Sequence, residues 1–169
     1  MHGLAASGQV VAAGKATGTG AGGDPRMFTD AGASQVLDFT DFGFASTYRL
    51  AHDRVRALLA SLVSELSAAD PDVVVVEIAG GDYQQETARL LTDPLFASTV
   101  DHVVFAAADA LGAVAGVQVL AGSGLPVLAV SGRFTASPLA AAEAGQALDV
   151  PVVDTFSLAE ADVARGLLA

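Results

Sequence analysis

The segment Gly14-Lys15-Ala16-Thr17-Gly18-Thr19-Gly20-Ala21-Gly22-Gly23-Asp24 sets the only lysine of the chain among five glycines. It follows an apolar run, Gln9-Val10-Val11-Ala12-Ala13, and precedes Asp24-Pro25, a helix-start signal. Glycines free backbone N–H groups to wrap an anion, and Lys15 adds a point charge, so phosphate binding is the expected chemistry; a plain surface loop is the alternative. Gly18-x-Gly20-x-x-Gly23 also has dinucleotide-fingerprint spacing, and Asp38 stands twenty residues after Gly18, where a ribose-binding acid would sit. That reading ranks second, because Lys15-Ala16-Thr17 separates the expected strand from the first glycine and Pro25–Ala33 is short for a crossover helix. No Gly-x-x-x-x-Gly-Lys-Ser/Thr loop occurs in the chain.

The second chemical signal is Asp72-Val73-Val74-Val75-Val76-Glu77, an apolar strand ending in an acid. Carboxyl ends of parallel strands line the ligand crevice, and an acid there can hold Mg²⁺ or its water beside a phosphate, so Glu77 is a candidate catalytic and metal-linked residue. Asp38, Asp41, Ser46 and Thr47 cluster after another strand and could reach a phosphate, metal or substrate, with turn chemistry as the alternative. Later strands end in Ala108-Asp109 and Ser131-Gly132, which makes Asp109 and Ser131 candidates to read a base or substrate. His2, His52 and His102 have no metal-ligand spacing, and no Gly-x-Ser-x-Gly elbow accompanies them.

Elements must carry these residues to one edge. β-branched runs at Gln9–Ala13, Gln35–Phe39, Val73–Ile78, His102–Ala107, Pro126–Val130 and Pro151–Val153 read as strands. They alternate with helical segments at Ala51–Ala68, Gln84–Leu91, Leu111–Leu120, Leu139–Ala147 and Leu158–Leu168, with shorter turns around Pro25–Ala33 and Pro94–Thr99. Alternation of this kind predicts βαβ units covering both faces of a mainly parallel sheet, a three-layer α/β sandwich in one domain. Gly3–Ser7 reads as the last turn of a helix closed by Gly8, with no strand encoded before it. One strand–loop–helix unit is therefore expected to be missing, and a homo-oligomer to cover the gap.

Composition narrows the partners. Eight basic against nineteen acidic residues give a net charge of −11, a field that disfavours nucleic acid and anionic membrane surfaces. The absence of cysteine excludes disulfides, thiolate metal sites and cysteine nucleophiles. The start lacks the basic region of a secretory signal, so a cytoplasmic location is expected. The uncharged stretch 110–132 is broken by Ser123-Gly124-Leu125-Pro126, and reads as helix, turn and strand rather than a membrane span.

Together Gly14–Gly20, Asp30-Ala31-Gly32-Ala33, Val36–Asp41, Ser46-Thr47-Tyr48 and Asp72–Glu77 resemble an uncharacterised P-loop NTPase-like family related to dethiobiotin synthetase and to the B protein of molybdopterin-guanine dinucleotide biosynthesis. The resemblance covers nearly the whole chain. It implies P-loop NTPase-like, Rossmann-like topology with the first strand, Walker A loop and first helix absent. It further implies ATP- and Mg²⁺-dependent group transfer or ligation on a small metabolite. In that reading Lys15 and Thr17 face the phosphates or substrate, Asp24 or Asp38 helps with metal, and Glu77 is the Walker B acid. Gly18 and Gly20 belong to the nucleotide loop. A non-catalytic binding module is the rival reading.

Overall fold

Seven consecutive buried residues, Val11–Thr17, form the strand on which the N-terminal half is built. Burial on both faces is what a central parallel strand requires, and small or apolar side chains make it possible. The computed structural model describes every residue from Met1 to Ala169, and the chain divides into two compact units, Met1–Leu90 and Leu91–Ala169. The protein is α/β, and its strands pair in parallel, as the alternating pattern predicts.

In the first unit α1 (His2–Ala6) leads into β1 (Val11–Thr17), followed by α2 (Gly23–Asp30), β2 (Gln35–Asp38), α3 (His52–Ser67) and β3 (Val73–Ile78). The sheet order is β2-β1-β3, all parallel. Successive side chains of a strand point to opposite faces, so β1 presents Gly14 to one layer and Lys15 to the other. On the Gly14 face lies α3, whose Val55, Leu58, Leu59, Leu62 and Leu66 are buried at helical spacing. A Cβ on Gly14 would stand 2.8 Å from Leu66 Cδ1 and 3.1 Å from Leu62 Cδ2, so glycine lets α3 settle against the strand. The Lys15 face meets α2, through Asp24.

The first unit ends within α4 (Gln85–Leu91), and the second contains α5 (Pro94–Thr99), β4 (Val103–Ala106), α6 (Ala110–Gly122) and β5 (Val127–Ser131). A 3-10 turn at Arg133–Ala136, α7 (Pro138–Ala147), a second such turn at Ser157–Ala159 and α8 (Ala161–Leu167) complete it. β4 and β5 pair in parallel, and the core gathers Ala113, Val117, Val130, Phe134 and Ala144, with Phe105 packed against it. No helix is long and apolar enough to cross a membrane; the uncharged stretch is α6, a turn and β5.

Four local expectations change. β1 runs to Thr17 rather than stopping at Ala13, because Gly14 and Lys15 keep their ladder partners on both neighbouring strands. The turns expected near Pro25 and Pro94 are helices, α2 and α5; Asp93 caps the latter by accepting from Leu95 N at 2.8 Å. Pro151–Val153 contributes only an isolated parallel bridge, Val130 to Val152. The helix expected over Leu158–Leu168 is split, since Asp154 accepts from the N–H groups of Phe156 and Ser157 and starts a separate turn before Glu160 returns to extended backbone.

Gly116 of α6 faces the Phe105 ring so closely that an added Cβ would overlap it. Gly116→Ala is expected to destabilise the protein by about 1–3 kcal/mol through overpacking. Phe105→Leu in the same chain should recover part of that loss, both read by denaturant unfolding.

Candidate functional site

At the carboxyl end of the first sheet, Lys15 stands in register with Asp38 of β2 and with Glu77 of β3. In-register residues of parallel strands share a face, so the edge carries an acid–lysine–acid row. Lys15 is only 6% exposed, and its ammonium donates to Asp24 Oδ2 in the first turn of α2. Asp24 is favoured there by the positive end of the helix, and Pro25 beside it suits a helix start. Gly18 closes over the lysine stem with φ +127°; a Cβ at this position would lie 2.9 Å from Lys15 Cε and 3.3 Å from Ala79 Cβ. Glycine is thus needed for its backbone angle and for the close approach.

Glu77 is half-buried, and burial raises its pKa above the ordinary value of 4.5; Lys15 pulls it back, and Asp24 pushes it up. Burial likewise raises Asp82 in the loop after β3. A carboxyl that stays protonated above its usual range, next to a paired lysine, is suited to holding or receiving a proton.

The glycine-rich loop is held from above by 45–47. Gly18 N donates to Thr47 Oγ1 at 2.8 Å, Thr47 N to Gly18 O at 2.9 Å, and Gly20 N to Ala45 O at 3.0 Å. A Cβ on Gly20 would meet Thr40 Cγ2 at 2.8 Å and Ala45 O at 2.9 Å. Gly18 and Gly20 therefore give close chain packing, and their N–H groups are taken up within the protein rather than turned to an anion. Because β1 reaches Thr17, Gly18 does follow the strand directly, α2 does begin at Gly23, and Asp38 does end β2. The dinucleotide spacing is met, while two of the donors it relies on are engaged. Thr17, 1% exposed, donates to Ala79 O at 2.7 Å, and Thr87 donates to the same carbonyl at 3.2 Å; this ties the ends of β1 and β3 together.

Among the described residues no group of three or more His, Asp or Glu is gathered to hold a metal ion, so Asp24, Asp38 and Glu77 do not form a three-carboxylate centre. Asp38 is instead fixed locally, its Oδ1 accepting from Thr40 N at 2.6 Å and from the Thr40 hydroxyl. Asp109 and Ser131 belong to the second unit. Asp109 caps α6 by accepting from Gly112 N at 2.7 Å. Ser131, 3% exposed, lies 3.5 Å from Thr155 Oγ1, whose hydroxyl also contacts Thr135 at 3.1 Å. The Lys15–Asp24 pairing is the contact sequence reasoning missed; a lone lysine nine residues before a helix-start acid was its only trace.

No protein-family model, no curated protein and no solved structure matches this chain.

The charges around Glu77 make its titration a direct probe of the row. Asp24→Asn removes a like charge and should lower the Glu77 midpoint, whereas Lys15→Met removes the opposite charge and should raise it, both followed by carboxyl-carbon NMR. The folded state holds its proton more tightly than the unfolded chain. Glu77 thus contributes stability that is full below the ordinary glutamate range near 4.5 and is lost as pH rises through its folded pKa. Urea unfolding of wild type against Glu77→Gln should show the wild type losing ground over that window.

Proposed function

We propose that the first unit binds a nucleotide as its magnesium complex at the Lys15 centre and uses it for group transfer to a small metabolite. The observation that carries this reading is the buried Lys15 ammonium, held at the carboxyl end of three parallel strands between Asp38 and Glu77 and paired to Asp24. The resemblance to P-loop NTPase-like proteins supports the choice of ATP.

Charge decides the form of the ligand. One lysine faces three carboxylates, so a bare phosphate would be repelled, while a phosphate carrying a divalent cation matches the row. The donors fit: Asp24 offers hard carboxylate oxygens, and Mg²⁺ takes one or two such ligands together with phosphate oxygens and water, which leaves Glu77 free for the proton. When bound, magnesium would neutralise charge on the phosphate oxygens. Lys15 would exchange Asp24 for a phosphate oxygen, and Glu77 would take the proton of the attacking group. Affinity should be modest, because the Gly18 and Gly20 N–H groups are engaged and no Walker A loop is present.

Calorimetry with ATP tests this. Binding weaker than micromolar is expected with Mg²⁺ and none with chelator present. Lys15→Met should weaken the Mg²⁺ form by roughly 10–100-fold, the range set by losing one charged hydrogen bond. Equal binding with and without Mg²⁺, or an unchanged Lys15→Met, would reject the proposal, and micromolar or tighter binding would reject the account of the loop.

A further inference from the structure

A recess opens on the α2 face of the first unit, a cleft of about 370 Å³ lined by Pro25, Arg26, Thr29, Val36, Asp38, Thr40 and Asp41. Its volume is at the lower end of the range for small-ligand sites, about 300–1,000 Å³. Asp38 is its most informative wall. The residue is 5% exposed, and while Oδ1 is held by Thr40, no protein group donates to Oδ2. That oxygen is not sealed off from solvent, and the cleft that Asp38 lines is where an outside donor can meet it. Asp41 adds a second negative charge; its own Oδ2 accepts from Asp38 N at 2.8 Å, which fixes the two acids relative to each other. Arg26 supplies the only positive charge of the lining. Its guanidinium lies over the start of α2, 3.4 Å from where a Gly22 Cβ would be, and makes no ion pair.

We propose that this cleft binds a small amino-acid-type zwitterion, its ammonium donating to Asp38 Oδ2 and its carboxylate received by Arg26. Two carboxylates against one guanidinium leave the lining at −1, so an anion without an amine is disfavoured, in a chain whose net charge is already −11. An amine without a carboxylate would satisfy Asp38 and leave Arg26 unmatched. A zwitterion answers both charges at once. The fit of its chain to Pro25 and Val36 then sets which amino compound is preferred. Asp38 stands in register beside Lys15, but the site can be tested apart from the nucleotide reading, because the proposed phosphate contacts use Lys15, Asp24 and Glu77.

The test is amide chemical-shift mapping by NMR of the full chain, without nucleotide. The probes are free α-amino acids, the amines left by removing their carboxylates, and the hydroxy acids in which the amine is replaced. At least one amino acid should shift Thr29, Val36 and Thr40, and bind better than both of its truncated partners. Asp38→Asn, which keeps an oxygen for Thr40, and Arg26→Met, at an exposed position, should each weaken it by roughly tenfold or more. The proposal is overturned if no amino acid shifts these amides, or if the hydroxy acids bind as well. It fails equally if ribose or Mg²⁺ alone moves the same amides more strongly, or if binding survives both substitutions. Loss of ATP binding in Lys15→Met with the amino-acid response intact would separate this site from the nucleotide proposal.

Discussion

A lysine ammonium withdrawn almost fully from water must be neutralised within hydrogen-bond reach, and the carboxyl edge of the first sheet is arranged around that requirement. Asp24 is the neutralising partner, in a pair whose lysine side is buried and whose acid side stays partly open to solvent. Asp24 has to be present, so α2 has to start at Gly23, directly after the loop. The stem of Lys15 has to be covered, and only a residue without a side chain, in a backbone conformation of positive φ, can pass over it at Gly18. On the neighbouring strands Asp38 closes β2 and Glu77 stands one residue before the end of β3, both in register with Lys15, and the lysine charge offsets part of the burial of Glu77. Strand length, loop composition and helix start are thus linked through one charge.

The loops that brace this edge do so through threonine hydroxyls. Thr47 both donates its N–H to Gly18 O and accepts from Gly18 N, which makes a two-way clasp between 18 and 47. Thr17 and Thr87 converge on the Ala79 carbonyl after β3. Each of these threonines is 2% exposed or less, so their hydrogen bonds are shielded and an unmade one would leave a buried polar group unsatisfied. The glycines then read differently from a mobile anion loop: several are there so that segments can approach one another closely.

How much of this was legible in the sequence follows from how local each cause is. α3 and β3 were, because each has a pattern that belongs to its element: Val55, Leu58, Leu59, Leu62 and Leu66 on one stripe, and an unbroken Val73–Val76 run for a strand half-buried along its whole length. The extension of β1 through Gly14 and Lys15 was not, since glycine and lysine have low strand propensity and only the two flanking strands keep them in the ladder. Lys15, Glu77 and Asp38 were legible as chemistry-bearing residues, and their common register was not, because register depends on how strands pair across the sheet. Asp109 looked like a ligand group from its place after a strand; the same place makes it the N-cap of α6, and the cap is the contact the structure gives it.

The surplus of acid at this edge also sets a rule for any ligand. Asp24, Asp38, Asp41 and Glu77 outnumber Lys15 and Arg26, so an occupant that brings only negative charge meets a repulsive field at either place. A phosphate needs a cation with it, and a carboxylate needs an amine. Asp38 is common to both settings, in register with Lys15 and exposed to the cleft. An ammonium drawn to its free oxygen would reduce the negative charge beside Lys15 and favour an anion there; by linkage, an anion held at Lys15 would favour the ammonium to the same degree. Because Thr40 fixes Asp38 in place, that coupling needs no movement of the backbone, only the change of charge across one row of three neighbouring strands.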